Sequence, residues 1–229
     1  MPTAQKTLMF LSGFVTSLGS FVTTCVVLAI PQWVTGMIEF SDGRFSNGSI
    51  IITYGLFRGE SSQELESGLG QSDLTFEVFN ILSDVSPRSL HSVVTVLPFL
   101  SLVTSLLSSG LTLFNTVSNP YQNWLGPTSI FVWNGLNMTL TALATILFAV
   151  NTQANGLSIA LSSALYSGQG YTFGRAAHQY KTSFWLLLLV LFFNVATVVV
   201  IVFYQNARYH RKQKHRKPME NAPRDGILF

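Results

Sequence analysis

The side chains that most often carry enzyme chemistry are few and scattered in this chain. There is one cysteine, Cys25, inside an apolar run, and an intrachain disulfide is therefore excluded. The sequence contains no His-x-x-x-His, Cys-x-x-Cys, Gly-x-Ser-x-Gly or phosphate-binding glycine pattern. The four histidines are His91, His178, His210 and His215, the last two inside a basic segment. We therefore expect no metal, no cofactor and no enzyme activity.

One tripeptide predicts a covalent modification. Asn47-Gly48-Ser49 is an N-glycosylation sequon in a polar segment, and the glycine suits an exposed turn. A second match, Asn137-Met138-Thr139, lies within an apolar run, where we expect no transfer of a glycan. Asn47 is the predicted modification site.

The C-terminal tail carries two further candidate sites. A cluster of bases directly follows an apolar run, a position that favours contact with anionic lipid over nucleic acid, although it also serves as a plain topology signal. The chain ends on an apolar residue with another two positions earlier, which suits strand addition to a PDZ domain. The basic cluster is Arg208, Arg211, Lys212, Lys214, Arg216 and Lys217, and the terminal motif is Ile227, Leu228 and Phe229.

The composition of the chain indicates which elements must position these residues, because it shows which segments avoid water. Charged residues make up 10% of the 229 residues, well below the roughly 25% of soluble domains. Four uncharged runs reach the roughly 20 residues needed to cross a bilayer. They are residues 8–30, 93–114, 128–150 and 184–204. A cleaved signal peptide is the alternative for the first run, but its apolar core is too long and a small-residue cleavage site is missing.

Orientation follows from lysines and arginines near the helix ends. The basic tail, 205–229, stays in the cytosol, and four crossings place the N-terminal residues 1–7 and the link 115–127 there too. Residues 31–92 and 151–183 then lie outside. Segment 31–92 is acidic, with eight acids against three bases.

The polar content of the spans predicts packing rather than transport. Asn134, Asn137 and Asn194 are able to hydrogen-bond between helices. No span contains an ionisable acid or base of the kind that pumps and ion-coupled carriers need.

The long outer segment is predicted to fold. Three short runs rich in apolar or β-branched residues, 33–40, 50–57 and 74–79, predict an antiparallel sheet. The polar stretch 60–73 predicts a flexible excursion, and the spacing in 155–166 predicts a short helix that extends the third span or lies on the membrane. The predicted fold class is an all-α membrane bundle of four transmembrane helices with a small antiparallel β-sheet in the first extracellular loop.

Several motifs together resemble the clarin family of four-span membrane proteins. The first two are Pro31-Gln32-Trp33 and Tyr54-Gly55-Leu56-Phe57-Arg58-Gly59-Glu60. Further matches are Asn119-Pro120-Tyr121, Ser183-Phe184-Trp185 and the closing Asp225-Gly226-Ile227-Leu228-Phe229. The resemblance implies a claudin-like fold in which Trp33, Gly55, Leu56 and Phe57 brace the outer sheet. It also implies roles in sensory hair cells and photoreceptor synapses, in actin organisation and in adhesion. Related proteins often carry a cysteine pair in this loop, which this chain lacks.

These observations predict a non-enzymatic organiser of membrane or adhesion complexes at the plasma membrane. Its expected partners are the lipid bilayer, PDZ or actin-linked proteins and another membrane protein, with no nucleic acid. Two alternatives remain open, namely claudin-like adhesion between cells and an auxiliary subunit of an ion channel.

Overall fold

Four long helices dominate the architecture. The computed structural model describes residues 4–41, 47–65, 71–117 and 126–220. The helices are α1 (Ala4–Ala29), α3 (Val85–Val117), α4 (Pro127–Gln153) and α6 (Thr182–Glu220), with a single turn, α2 (Val78–Ile81), preceding α3. Each long helix contains an apolar stretch long enough to cross a membrane. The four predicted membrane spans are confirmed.

The helices pack as a closed bundle. Helix α1 contacts α3 and α6, and α4 contacts the same two helices on the other side. Large apolar side chains such as Val15, Phe192 and Phe203 are more than half exposed and face outward. Hydrocarbon is the solvent that such a surface needs, because in water it would be a continuous exposed apolar belt.

A five-stranded antiparallel sheet caps one end of the bundle, here called the sheet end. The strands lie in the order β4-β3-β2-β1-β5. They are β1 (Val34–Ser41), β2 (Asn47–Tyr54), β3 (Arg58–Leu65), β4 (Gln71–Glu77) and β5 (Thr172–Tyr180). The predicted antiparallel sheet is confirmed, and it is larger than expected.

Two expectations about the connecting segments were wrong. The polar stretch 60–73 is not a flexible excursion in its described part, because it forms most of β3 and the start of β4. The sheet is also not confined to the first loop, since β5 comes from the segment between α4 and α6 and pairs with β1.

The predicted short helix is present as α5 (Leu157–Leu165). It does not extend the third span. A turn at Gly156, with φ of 59°, redirects the chain after α4, a backbone geometry that glycine adopts at low cost. Helix α5 then packs against β1, β2 and β5.

The main apolar core lies between the sheet, α5 and the ends of the long helices. Side chains alternate along β1, so that Val34, Gly36, Ile38 and Phe40 face inward and are buried. The inner face also contributes Ile52 and Tyr54, which are fully buried. The opposite face of the sheet, here called the outer face, carries the intervening polar residues.

Candidate functional site

Trp33 is the point where the sheet joins the bundle. Its side chain is fully buried and packs edge-on against Phe148 of α4, with ring centroids 4.9 Å apart. The indole Nε1 donates a hydrogen bond to the Val27 carbonyl of α1 at 3.2 Å. The Trp33 carbonyl accepts from the Lys181 amide, just before α6, at 2.9 Å. One residue thus links three of the four spans.

Gly55 allows the β2–β3 turn to touch the backbone that leaves α1. A Cβ at this position would lie 2.7 Å from the Pro31 Cα, closer than any side chain tolerates. The Gly55 amide also closes the turn by donating to the Arg58 carbonyl at 2.9 Å. Glycine is required here by close approach.

The next two residues of the turn reach α3. Leu56 is buried, and its carbonyl lies 2.8 Å from His91 Nε2. Phe57 is 38% exposed, and its ring meets Phe99 edge-on at 6.0 Å. The four residues that the resemblance assigns to bracing therefore all lie at the junction of sheet and bundle. Their bracing role stays a prediction.

A buried hydrogen-bond chain that the sequence did not indicate holds α5 on the sheet. The Tyr54 hydroxyl lies 2.8 Å from Ser158 Oγ, which lies 3.2 Å from His178 Nδ1 of β5. Burial raises the pKa of Tyr54 above its ordinary value and lowers that of His178. Both groups are therefore held neutral. No local motif links residues 104 positions apart, and only the pairing of β5 brings them together.

The Ser158 hydroxyl beside His178 is not accessible as a nucleophile. Ser158 is fully buried beneath Gly36, where an added Cβ would lie 2.9 Å from its hydroxyl oxygen. A substrate carbonyl has no path to that atom. Among the described residues, no group of three or more His, Cys, Asp or Glu side chains is placed to hold a metal.

The outer face of the sheet carries a shallow groove with acidic walls. Its volume is about 730 Å³, and it lies across the strands at the end away from the bundle. Glu39, Ser49 and Glu64 form one cross-strand row along it. Met37, which is 49% exposed, adds apolar surface. Such a mixture of apolar and acidic surface suits a protein partner with a cationic, partly apolar face.

The sequons lie in two different environments. Asn47 begins β2, opposite Ser41, at the end of the sheet away from the bundle. Its glycosylation stays a prediction. Asn137 is fully buried in α4, within the membrane-spanning part of the bundle.

Asn137 is the centre of a polar network that joins all four spans. Its amide nitrogen donates to Asn194 Oδ1 at 3.1 Å and to Ser20 Oγ at 3.4 Å, and its oxygen accepts from Ser101. Asn194 also donates to Ser20 at 3.1 Å, and Asn134 of α4 donates to Ser108 of α3 at 2.7 Å. The predicted interhelical bonds of the three asparagines are confirmed.

The predicted basic cluster lies on the part of α6 farthest from the sheet end. Arg208 is half-buried on α6, and the remaining bases of the cluster follow on the same helix, where only the backbone is described. Ile227, Leu228 and Phe229 lie outside the described residues, as does most of the link 115–127. Lipid binding and PDZ binding by the tail stay predictions.

Comparison with known proteins is consistent along the whole chain. The family model described as "Clarin-2-like" matches residues 4–202. Clarin-3 of Homo sapiens and Clarin-3 of Mus musculus are each 55% identical over 229 residues, covering 100% of both chains. Clarin-2 of Homo sapiens is 28% identical over 198 residues, covering 82% of this chain and 84% of the relative. With the four spans and the sheet, these similarities show that the chain is a multi-pass membrane protein belonging to the clarin family.

Proposed function

We propose that this clarin is a non-enzymatic organiser of membrane complexes at the plasma membrane. The sheet faces the cell exterior, and both termini lie in the cytosol. The observation that carries the proposal is the contrast between the two faces of the sheet. The inner face is filled by α5 and the helix ends, whereas the outer face displays Met37, Glu39 and Glu64 around an open groove. A surface of this kind supports recognition of a partner protein.

The experiment exchanges charge on the outer face. In Glu39→Lys/Glu64→Lys, both substituted side chains are exposed, so the fold should tolerate the change. We expect proximity labelling in expressing cells to lose a defined set of outer-face partners, with cell-surface amounts unchanged. The matched control is Asp84→Lys, an exposed acid outside the sheet. Identical labelling patterns for wild type and the double variant would remove the outer face as the partner surface.

The proposed orientation has a separate test. Glycosidase treatment should shift the wild-type protein on a gel, and Asn47→Gln should remove that shift. An epitope added after Phe229 should be reachable only after the cells are permeabilised. Labelling of that epitope on intact cells would reverse the proposed topology.

The tail is proposed to hold the cytosolic side of the complex, with the basic cluster on anionic lipid and the terminal residues in a PDZ groove. Full-length protein should recover PDZ scaffolds from cells, and Phe229→Asp should lose them. Equal recovery would exclude the terminal motif. A charge-neutralised cluster should weaken binding of the solubilised protein to vesicles containing phosphatidylserine, with pure phosphatidylcholine vesicles as the reference.

Adhesion between cells is the second candidate, because the groove lies at the end of the sheet farthest from the bundle. Mixed cultures of expressing and non-expressing cells distinguish the two functions. Enrichment only where two expressing cells meet indicates adhesion in trans. Enrichment independent of the neighbouring cell indicates organisation within one membrane.

A further inference from the structure

Both edges of the sheet are open in the described part of the chain. Strand β4 pairs only with β3, and β5 pairs only with β1. Neither strand contains a proline, and no further described strand pairs along its free side. Unpaired edges of seven and nine residues offer free backbone donors and acceptors to another strand, and proteins usually block such edges.

The two edge strands run in the same direction. Strand β4 ends at Glu77, directly before α2 and α3, and β5 ends at Tyr180, directly before α6. Both therefore run toward the bundle. Two copies side by side in one membrane, in the same orientation, bring β5 of one copy beside β4 of the next as a parallel pair.

The register within the sheet shows which residues would meet. Cross-strand partners connect Tyr180 through Val34, Tyr54 and Gly59 to Phe76, so these residues share one level. By the same count, Gln179 is level with Thr75. Lys181 directly follows Tyr180 and Glu77 directly follows Phe76, so each lies one position beyond that shared level.

Charges at these levels are complementary between the two edges. In such a pair, Lys181 of one copy would lie beside Glu77 of the next. Arg175 lies one diagonal step from Asp73, within reach of its long side chain. Arg175, Asp73 and Glu77 are exposed and Lys181 is half-buried. The Glu77 carboxylate accepts one hydrogen bond, from Asn80 Nδ2 at 2.7 Å. Pairing β4 with β4, or β5 with β5, would instead place like charges together, which disfavours a symmetric dimer.

An uncovered apolar side chain supports the same contact. Leu74 of β4 points to the inner side of the sheet yet is 36% exposed, because no strand lies beyond it. His178 of β5 is at its level, through Gly36, Ile52 and Ser61. A strand added at the β4 edge would cover Leu74.

We propose that copies of this chain associate within one membrane by parallel pairing of the β5 edge of one copy with the β4 edge of the next. The contact is heterologous, so it extends to rings or rows. It does not depend on the outer-face function proposed above. The Glu39→Lys/Glu64→Lys variant should therefore leave it intact.

Thiol cross-linking in native membranes tests the proposal, since Cys25 is the one cysteine to remove. In a Cys25→Ser background, copies carrying Gln179→Cys are coexpressed with copies carrying Thr75→Cys. A short bismaleimide should join the two kinds of copy, while each single variant alone should give little dimer. A chain with both cysteines should give a series of higher bands, because the two sites of one copy are about 19 Å apart across the sheet.

A matched pair and a charge exchange complete the design. Copies carrying Met37→Cys are coexpressed with copies carrying Ser62→Cys, two positions on the outer face away from the edges. Their cross-linking measures how often copies meet by random collision. Asp73→Lys/Glu77→Lys should lower edge cross-linking about fivefold, and adding Arg175→Glu/Lys181→Glu should restore it. Single variants that cross-link as well as the mixture, or a mixture no better than the collision pair, would overturn the proposal.

Discussion

The helix bundle of this clarin and its sheet domain, which consists of the sheet and α5, distribute polar and apolar side chains in opposite ways. In the bundle, Ser20, Asn137 and Asn194 are buried, while valines, leucines and phenylalanines lie on the outside. In the sheet domain, Trp33 and Tyr54 are fully buried, and the acids lie on the outside. Each region exposes what its solvent accepts. Burial of apolar area stabilises the sheet domain at about 25 cal/mol per Å², a force that is missing between helices in lipid.

The largest expected effect is the loss of the buried tryptophan that joins the sheet to the bundle. Trp33→Ala removes a fully buried ring that contacts Phe148. We expect the free energy of unfolding of the detergent-solubilised protein to fall by about 3–5 kcal/mol. Thermal and denaturant unfolding would measure it. Trp185→Ala is the control, because that indole is 58% exposed on the bundle. Equal losses at the two tryptophans would break the contrast between the regions.

A smaller effect is expected where the two regions touch through backbone. Gly55→Ala places a methyl group 2.7 Å from the Pro31 Cα, and neither backbone segment yields without moving the sheet. We expect a loss of about 1–3 kcal/mol in the free energy of unfolding. The control is Gly168→Ala, where a Cβ meets nothing within 4 Å. If both variants are as stable as wild type, the turn is not held against the α1 exit.

In the bundle, replacing a buried polar side chain by an apolar one should lower stability, whereas in a water-soluble core such a change often raises it. Asn137→Leu adds apolar surface but removes the donor to Asn194 Oδ1 and leaves Ser101 with Thr141 as its remaining interhelical partner. We expect a loss of about 1 kcal/mol, measured by unfolding in mixed micelles of increasing SDS content.

Thr139→Val provides the matched control for the bundle. The Thr139 hydroxyl is exposed and bonds only to the Gly135 carbonyl of its own helix, so this change should be close to neutral. Stabilisation by Asn137→Leu would mean that the bundle interior follows the same rule as a water-soluble core.

The smallest effect concerns pH and only the sheet domain. Burial lowers the pKa of His178, so the folded state favours the neutral ring. Its contribution is complete above the unfolded pKa of about 6.5 and is lost as the pH falls through the lower, folded value. Unfolding measured from pH 8 to pH 5 should show wild type losing more stability than His178→Gln. His210→Gln, on the exposed part of α6, should follow the wild-type curve, and a His178→Gln curve identical to wild type would contradict the expectation.

The sequence predicted the bundle far better than it predicted the sheet. Each span is a contiguous run whose lack of charge is decisive by itself. Strand β3 was missed because its inward residues, Ser61 and Gln63, are polar. They are satisfied by the hydroxyls of Tyr166 and Tyr171, at 3.0 Å in both cases, more than 100 positions away.

The sequence also failed to predict β5 and part of the candidate site, because the residues involved lie far apart in the chain. Pairing of β5 with β1 depends on residues about 140 positions apart, such as Val34 and Tyr180, and no window of sequence contains both. For the same reason, the sequence did not predict the hydrogen-bond chain from Tyr54 to His178. Trp33 and Gly55 were found through family resemblance. The physical reason for the glycine is its close contact with Pro31, which only the three-dimensional structure reveals.

Helix α6 gives the molecule a mechanical property. It runs without interruption for 39 residues, which at about 1.5 Å per residue is about 58 Å, roughly twice the hydrocarbon thickness of a bilayer. It begins two residues after the end of β5, so that Lys181 alone separates the two elements. A tilt or torque applied to the sheet would therefore reach the basic segment on the far side as movement of a stiff rod. The chain is suited to transmitting strain from the sheet end of the bundle to its opposite end.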